Sequence, residues 1–266
     1  MDVITQAGQV HVGDKIVYRL GLGTNRITNT EQARSLLKKA VSLGINFIDT
    51  ANVYRDGESE ETIGHTLAPF SSNLLVATKG GMNGGKPEQL RLDLEGSLRR
   101  LKTKYVDLYQ LHRVDPSVPL ERSMRALKEF QDEGKIKYIG LSEVSIKQIQ
   151  EANTIVPIVS VQNEYNLVKR QYEDVVDYCT DQKIIFIPWF PLGGLHGDVE
   201  LVNKRISRLA AQYSATAQQI SLAWLLARSP LMLPIPGTLS IEHLISNINS
   251  ASIHLSEEDY AQLTNL

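Results

Sequence analysis

Short runs of β-branched and apolar residues alternate along the chain with longer amphipathic stretches. The first amphipathic stretch begins at Thr30, ends at Gly44 and repeats its apolar residues with a period close to 3.6, which predicts a helix. Its apolar positions are Ala33, Leu36, Leu37, Ala40 and Val41. Further helices are predicted over residues 59–67, 87–101, 120–133, 145–154, 171–182, 201–213, 217–228 and 241–250, with a last helical segment over 256–263.

Eight β-rich runs lie between these helices and are predicted as strands. They cover residues 18–23, 47–49, 74–78, 106–111, 136–141, 158–162, 184–189 and 232–234. Strict alternation of strands and helices indicates a parallel sheet, and eight such units in about 250 residues favour a closed barrel. A doubly wound open sheet is the structural alternative.

The segment before the first barrel strand predicts a β-hairpin, in which residues 3–6 and 9–12 flank Ala7-Gly8. We expect this hairpin to plug the bottom of the barrel. Because no linker, repeat or low-complexity tract interrupts the chain, residues 1–266 are expected to form a single α/β domain, a (β/α)8 TIM barrel.

Composition and charge narrow the functional classes. Apolar residues make up 42% of the chain and charged residues 22%, as in globular proteins with a substantial core. With 28 basic and 30 acidic residues and no run of like charge, the chain lacks the basic surface that nucleic acids or membranes attract. Neither a secretory signal nor an apolar run of membrane-spanning length is visible, so a cytoplasmic location is expected. The single cysteine, Cys179, can form no internal disulfide and is expected to be structural.

Ionisable residues end three consecutive predicted strands: Asp49 the second, Lys79 the third and His112 the fourth. Tyr54 follows Asp49 by five residues. Barrel enzymes carry their chemistry at the carboxyl ends of the strands, so these side chains are expected to share one face. Taken singly, they could be a capping aspartate, a solvated lysine, a buried core histidine and a tyrosine that covers apolar surface. Their coincidence indicates a catalytic site.

The four residues are chemically complementary. A lysine ammonium in a cleft needs a counter-ion, and Asp49 is the expected partner of Lys79. The positive charge beside Tyr54 favours loss of the phenol proton, which makes this tyrosine a better acid near neutral pH. His112 could hydrogen-bond a substrate oxygen and stabilise the charge that develops there.

Ordered motifs around these residues resemble the aldo-keto reductase family over nearly the whole chain. They cover residues 46–54 (NFIDTANVY), 107–112 (DLYQLH), 134–142 (GKIKYIGLS) and 235–238 (IPGT). The resemblance implies an enzyme that reduces aldehydes or ketones to alcohols, with hydride from nicotinamide and a proton from Tyr54. It places Asp49, Tyr54, Lys79 and His112 in the family's catalytic tetrad.

The same resemblance implies NADPH as the cofactor. Ser142 and Gln162 would hold the nicotinamide carboxamide, and Trp189 would stack on the ring. The full set of implied cofactor positions is Gly23, Thr24, Asp49, Ser142, Gln162, Trp189, Leu192, Gly193, Gly194, Gly237, Thr238, Ser240, His243 and Asn247. The backbone at residues 192–194 would approach the pyrophosphate. The helix N-terminus capped by Ser240 would receive the 2′-phosphate, to which His243 adds charge when protonated.

Three features depart from the family pattern. Glu143 stands where the family usually has Asn, which questions one nicotinamide contact. His243 stands where many members have Arg, so the preference for NADPH over NADH should be smaller than in those members. The chain also ends soon after its last helical segment, so we expect an open pocket of broad specificity.

A narrower resemblance bears on the substrate. Residues 161–166 and 188–194 are similar to bacterial members that include pyridoxal reductases. The expected partner is therefore a small carbonyl compound, in particular an aromatic aldehyde, with pyridoxal as a candidate. The oligomeric state stays open and is compatible with a monomer.

Other functions remain to be separated from this one. A Schiff-base aldolase would use Lys79 as its nucleophile, but it leaves Tyr54 and Trp189 without roles. A nicotinamide-binding regulatory subunit with little turnover would not need an activated tyrosine. Residues 80–86 fit a phosphate-binding loop only in part, because Pro87 stands where Ser or Thr must reach Mg²⁺. The scattered histidines show no ligand spacing, so no metal site is expected.

Overall fold

The centre of the molecule is a parallel sheet built from strands that follow one another along the chain. The structure, a computed structural model, describes residues 2–193 and 199–265. In this part of the chain the strands are β1 (Gln9–Val12), β2 (Lys15–Tyr18), β3 (Leu22–Gly23), β4 (Phe47–Asp49), β5 (Leu75–Gly80), β6 (Val106–Leu111), β7 (Ile136–Ser142), β8 (Ile158–Gln162) and β9 (Ile185–Phe186). β1 and β2 form an antiparallel hairpin, and β3 to β9 form the parallel sheet in sequential order.

Residues 231–237 close this sheet into a barrel although they form no regular strand. Leu233 donates its N–H to the carbonyl of Phe186 in β9 (2.9 Å), and Gly21 donates to the carbonyl of Pro234 (2.9 Å). Proline can only accept in such a ladder, so the pairing here is interrupted. The predicted barrel is therefore confirmed, whereas its eighth strand is present only as isolated bridges to β9 and β3.

The helices surround the sheet and agree with the predicted ones to within two residues at either end. They are α1 (Glu31–Ser42), α2 (Glu58–Leu67), α3 (Pro87–Leu101), α4 (Leu120–Asp132), α5 (Ile146–Asn153), α6 (Glu173–Asp181), α7 (Val199–Gln212), α8 (Ala217–Arg228), α9 (Ile241–Asn249) and α10 (Glu257–Thr264). Hydroxyl side chains fix several starts, because Thr30, Ser145, Thr216 and Ser240 each accept a backbone N–H of the first turn. Among the described residues, no helix is long and apolar enough to cross a membrane.

The hairpin lies at the predicted end of the barrel but not at the predicted residues. Val3–Ala7 forms a 3-10 helix, so the expected strand over residues 3–6 is wrong, and the hairpin turn is at Gly13-Asp14. The first barrel strand, predicted over 18–23, is correspondingly shorter, because Tyr18 ends β2. The ammonium of Lys15 binds Asp107 (2.7 Å) near the start of β6, which places the hairpin at the amino-terminal end of the strands.

Two apolar layers result from the alternation along the strands. The inner layer fills the barrel and includes Phe47, Leu75 and Leu108, on which hairpin side chains such as Val17 pack. The outer layer lies between sheet and helices and contains Cys179, whose pKa burial raises to about 12. That thiol is structural, as expected. With the amino-terminal end covered by the hairpin, the carboxyl ends of the strands are left to form a site.

Candidate active site

The four predicted catalytic side chains meet at the carboxyl ends of β4, β5 and β6. The Lys79 ammonium donates to Asp49 Oδ1 (2.7 Å), to the Thr50 carbonyl (2.8 Å) and to the Tyr54 hydroxyl (3.2 Å). The rings of Tyr54 and His112 stand edge to face, with their centroids 5.9 Å apart. Lys79 is fully buried, so these contacts replace the water it has lost.

The loop after β4 is shaped so that Tyr54 points back to Lys79. The Asn52 N–H donates to the carbonyl of Lys79 (3.1 Å), which ties the loop to β5. Tyr54 then opens a 3-10 turn in which Arg55 and Asp56 have positive φ values of 53° and 55°. Such left-handed residues are uncommon outside glycine, and they let the chain reverse tightly into α2.

Burial and charge set the ionisation of this group. Burial lowers the pKa of a lysine, but the charges and hydrogen bonds of Asp49 and Tyr54 outweigh this and raise the pKa of Lys79. Burial, with the charges of Lys79 and Arg113, lowers the pKa of His112 to about 2. At neutral pH the site therefore holds a lysine cation and a neutral imidazole. Nδ1 of that imidazole is buried without a hydrogen-bond partner among the described residues.

Two glutamine side chains complete the surroundings of Asp49. Its second oxygen, Oδ2, accepts from Gln162 (2.9 Å) and from Gln110 (3.3 Å). Gln162 lies at the end of β8, as the resemblance requires, but its amide nitrogen donates a hydrogen bond to Asp49. Gln110 was missed by the sequence analysis, although Leu108, Gln110 and His112 alternate along β6. A polar residue at an inward position of a barrel strand was the available signal.

Arg113 is a second residue that the sequence analysis missed. One of its terminal nitrogens, Nη1, donates to the His112 carbonyl (2.7 Å) and to the Ser142 hydroxyl (3.1 Å). Ser142 is therefore at the predicted strand end, with Arg113 as its partner. Arg113 makes no ion pair within the described part of the chain, so the cleft contains a cation next to His112.

Glu143, which directly follows β7, hydrogen-bonds the side chain of Trp189, which follows β9. The indole N–H of Trp189 donates to Glu143 Oε1 (2.6 Å), and the backbone N–H of Glu164 donates to the same oxygen (2.7 Å). The Tyr172 hydroxyl donates to Oε2 (3.0 Å). The side chain at this departure from the family pattern is thus fully engaged with the protein.

The remaining predicted cofactor positions follow the rim from β3 to α9. Gly23 and Gly237 form a bridge so close that a Cβ at position 23 would lie 2.6 Å from the Ile235 carbonyl. Thr24 is buried, and its hydroxyl donates to the Asp49 carbonyl (2.8 Å), so it stabilises the start of the loop after β4. Thr238 accepts the Ser240 N–H (3.0 Å) just before α9.

The start of α9 has an exposed and a buried side. The Ser240 hydroxyl accepts the N–H of His243 (3.3 Å), which caps the helix. His243 is exposed, and Asn247 is buried one turn later.

Leu192 and Gly193 follow Trp189 in a tight turn, in which Gly193 has φ of 57°. Gly194 lies outside the described residues.

Comparison with known proteins identifies the family. Residues 19–266 match the Aldo/keto reductase family. An uncharacterized oxidoreductase of Schizosaccharomyces pombe is 41% identical over 97% of this chain and 90% of its own. Pyridoxine 4-dehydrogenase of Escherichia coli is 36% identical over 93% and 94%. An aldo/keto reductase of Klebsiella pneumoniae, solved with NADP and acetate, is 30% identical over 94% and 91%, with a TM-score of 0.85. The chain therefore belongs to the aldo/keto reductase family of oxidoreductase enzymes.

Proposed function

We propose that this enzyme reduces a carbonyl group of a small molecule to an alcohol, with NADPH as cofactor and Tyr54 as the proton donor. The observation that carries the proposal is the position of the Lys79 ammonium, which hydrogen-bonds both Asp49 and the Tyr54 hydroxyl beside His112. When bound, the reduced nicotinamide supplies the hydride that the carbonyl carbon receives. Tyr54 gives its proton to the carbonyl oxygen.

The other members of the tetrad make that proton transfer favourable. The Lys79 cation stabilises the phenolate that Tyr54 leaves behind, and Asp49 holds the cation in place. The neutral imidazole of His112 orients the carbonyl oxygen and stabilises its developing charge by a hydrogen bond.

NADPH fits the residues along the rim. Trp189 offers an aromatic face beside Gln162 and Ser142 for the nicotinamide. At the other end, the first turn of α9 has N–H groups without intrahelical partners, a favourable place for a phosphate. His243, exposed at this turn, lacks the permanent charge of an arginine. We therefore expect NADPH to bind more tightly than NADH, by a modest margin. The NADP complex of the Klebsiella relative supports this cofactor.

An aromatic aldehyde, with pyridoxal as the named candidate, is the proposed substrate. The ring centroids of Trp189 and Phe190 lie 6.0 Å apart with their planes tilted by 46°, and Phe190 is 41% exposed, so this part of the rim offers an aromatic, apolar surface. The similarity to a pyridoxine 4-dehydrogenase supports a pyridine ring as substrate. A screen in which pyridoxal is inert while aliphatic ketones react well would remove this substrate class and leave the carbonyl chemistry standing.

The central experiment is Tyr54→Phe. Removing the phenol hydroxyl should lower kcat by ~10²-fold or more, because the proton donor acts only in the transition state. The NADPH dissociation constant should hardly change, since the hydroxyl does not hold the cofactor. Tyr105→Phe, at an exposed tyrosine outside the cleft, is the matched control. Near-normal turnover of Tyr54→Phe with several aldehydes would overturn the proposal, and so would a parent enzyme without turnover, which is the regulatory alternative.

The aldolase alternative does not fit the state of Lys79. A Schiff-base lysine must be neutral to attack a carbonyl. Here Asp49 and Tyr54 raise the pKa of Lys79, and three acceptors surround its ammonium. Carbonyl reduction, in contrast, needs Lys79 in its protonated form, because the ammonium stabilises the phenolate of Tyr54.

A further inference from the structure

We propose that the Glu143 carboxylate makes the site bind the oxidised cofactor more tightly relative to the reduced one, because its negative charge lies at the indole N–H of Trp189, next to the nicotinamide. The inference rests on the proposed function, in which Trp189 stacks on the nicotinamide ring. It concerns a residue that departs from the family pattern, because an amide at position 143 would carry no charge.

The contacts of Glu143 hold the charge and the indole together. Its Oε1 accepts from the Trp189 indole (2.6 Å) and from the Glu164 backbone (2.7 Å), and its Oε2 accepts from Tyr172 (3.0 Å). All three partners donate, which is the pattern that a carboxylate satisfies. Burial and the neighbouring Glu143 raise the pKa of Tyr172 to about 12, so this phenol remains a donor.

The backbone at this position shows that the arrangement is specific. Glu143 has φ of 55°, in the left-handed region that disfavours glutamate. Its own N–H donates to the Gln162 carbonyl (3.0 Å), which ties the residue after β7 to the end of β8. A strained residue with three donors to its side chain has one defined orientation, and that orientation points the carboxylate at the indole N–H.

Charge at this place acts differently on the two cofactor states. The oxidised nicotinamide ring is a cation, whereas the reduced ring is neutral. A cation is attracted to a carboxylate and to an aromatic face whose N–H is bound to that carboxylate. Both effects stabilise the oxidised ring, and neither acts on the net charge of the reduced ring.

Arg113 is the cation that could offset this effect. It lies beside His112 and Ser142, and its charge acts to lower the pKa of the Tyr172 hydroxyl, against the larger effects that raise it. It makes no hydrogen bond to Glu143 within the described residues. Arg113 is the same in the parent enzyme and in a variant at position 143. Its contribution to the ratio of the two dissociation constants therefore cancels when these proteins are compared.

Glu143→Gln separates charge from geometry. The glutamine oxygen can accept from Trp189 and Glu164, and its amide can donate to Tyr172, so the framework remains while the charge disappears. Glu164→Gln is the matched control, because it removes a neighbouring carboxylate that is paired with Lys169 (3.3 Å), whereas the indole N–H donates to Glu143. NADPH binding is followed by its own fluorescence, and NADP⁺ binding by displacement of NADPH.

We expect Glu143→Gln to raise the ratio of the NADP⁺ to the NADPH dissociation constant about ten-fold, and Glu164→Gln to leave it within about two-fold. An unchanged ratio in Glu143→Gln, or an equal rise in both variants, overturns the inference. If Glu143→Gln does not fold, Glu143→Asp and Glu143→Asn repeat the comparison of charge at a shorter length. A parent enzyme that binds neither nucleotide would instead overturn the proposed function itself.

Discussion

The Asp49–Lys79 ion pair is enclosed by protein, and its energetics differ from those of ion pairs on the surface. Removing one member leaves the other charge buried without a partner, which is strongly destabilising, whereas removing both can be nearly neutral. We expect Asp49→Asn and Lys79→Met each to lower the free energy of unfolding by ~3–5 kcal/mol. The double variant should recover part of this loss but no activity.

Denaturant unfolding of the four proteins measures this coupling. The control is the Glu121–Arg125 pair on α4, which has a similar distance of 2.7 Å with side chains 57% and 66% exposed. Single substitutions there should change stability by less than ~1 kcal/mol. Strict additivity at Asp49 and Lys79 would show that the two charges do not stabilise each other.

His112 should make the stability of the protein depend on pH. Its pKa is about 2 in the folded protein and ~6.5 in an unfolded chain. Between these values the unfolded state binds the proton more readily, so the folded state loses stability as the pH falls below ~6.5. From pH 7 to pH 5 the loss amounts to about 2 kcal/mol.

Substitution assigns that loss to one residue. Unfolding free energies of the parent and of His112→Gln, measured at pH 7 and pH 5, should differ in their pH dependence by this amount. His254→Gln, on the segment before α10, is the control with another histidine removed. Parallel pH dependences of the parent and His112→Gln would show that His112 is readily protonated in the folded protein.

The meeting of Asp49, Tyr54, Lys79 and His112 could be predicted from the sequence because three of them end consecutive strands and Tyr54 follows in the next loop. The strand positions alone bring Asp49, Lys79 and His112 to one end of a parallel barrel. The contacts of Arg113 and Glu143 could not be predicted in this way. Each depends on side-chain direction and on a partner 29 or more residues away, which neither periodicity nor spacing encodes.

At the level of elements, helices were easier to locate than strands. α3 and α8 have the predicted bounds because Pro87 and Thr216 mark their starts chemically. The hairpin was misplaced because Gly8 and Gly13 both offer positive φ, and only tertiary contacts decide between them. The turn at Gly13 is chosen because Tyr138 of β7 accepts the N–H of Asp14 (3.0 Å).

That contact makes Gly13→Ala a test of how the hairpin is held. A Cβ at position 13 would lie 1.8 Å from the Tyr138 ring, so the ring and the hairpin would have to separate. The control is Gly134→Ala, with a similar φ of 73° and nothing within 4 Å of the added Cβ. We expect Gly134→Ala to cost ~1 kcal/mol for the backbone alone, and Gly13→Ala ~1–3 kcal/mol more.

Thermal or denaturant unfolding measures both variants, and kcat should stay unchanged in both. The hairpin lies at the opposite end of the barrel from Tyr54, so loosening it should affect stability without affecting the chemistry. Equal losses of stability would show that the Tyr138 ring moves aside freely. A large fall in kcat for Gly13→Ala would show that the two ends of the barrel are coupled.

Across the whole molecule, closure of the barrel joins distant parts of the chain. Residues 231–237 pair with β9 on one side and with β3 on the other. The proposed cofactor site crosses this seam, since Gly23 belongs to β3 and Ser240 caps α9. A bound NADPH would therefore contact both the beginning and the end of the barrel. The single domain and the cytoplasmic location expected from the sequence remain predictions, and the first of them can be tested through this seam.

A barrel closed by its first and last strand segments should unfold in one cooperative transition, and a ligand across the seam should shift that whole transition. At about 100 times its dissociation constant, NADPH should stabilise the folded state by ~2.7 kcal/mol. For a chain of this size that corresponds to a rise in Tm of roughly 5–10 °C. Calorimetry with and without NADPH, at equal protein concentration, measures the shift. Two transitions, of which NADPH moves only one, would show that residues 1–266 do not form a single cooperative domain. One transition that NADPH leaves in place would instead show that the nucleotide does not bind the folded barrel, because any ligand selective for that state must stabilise it.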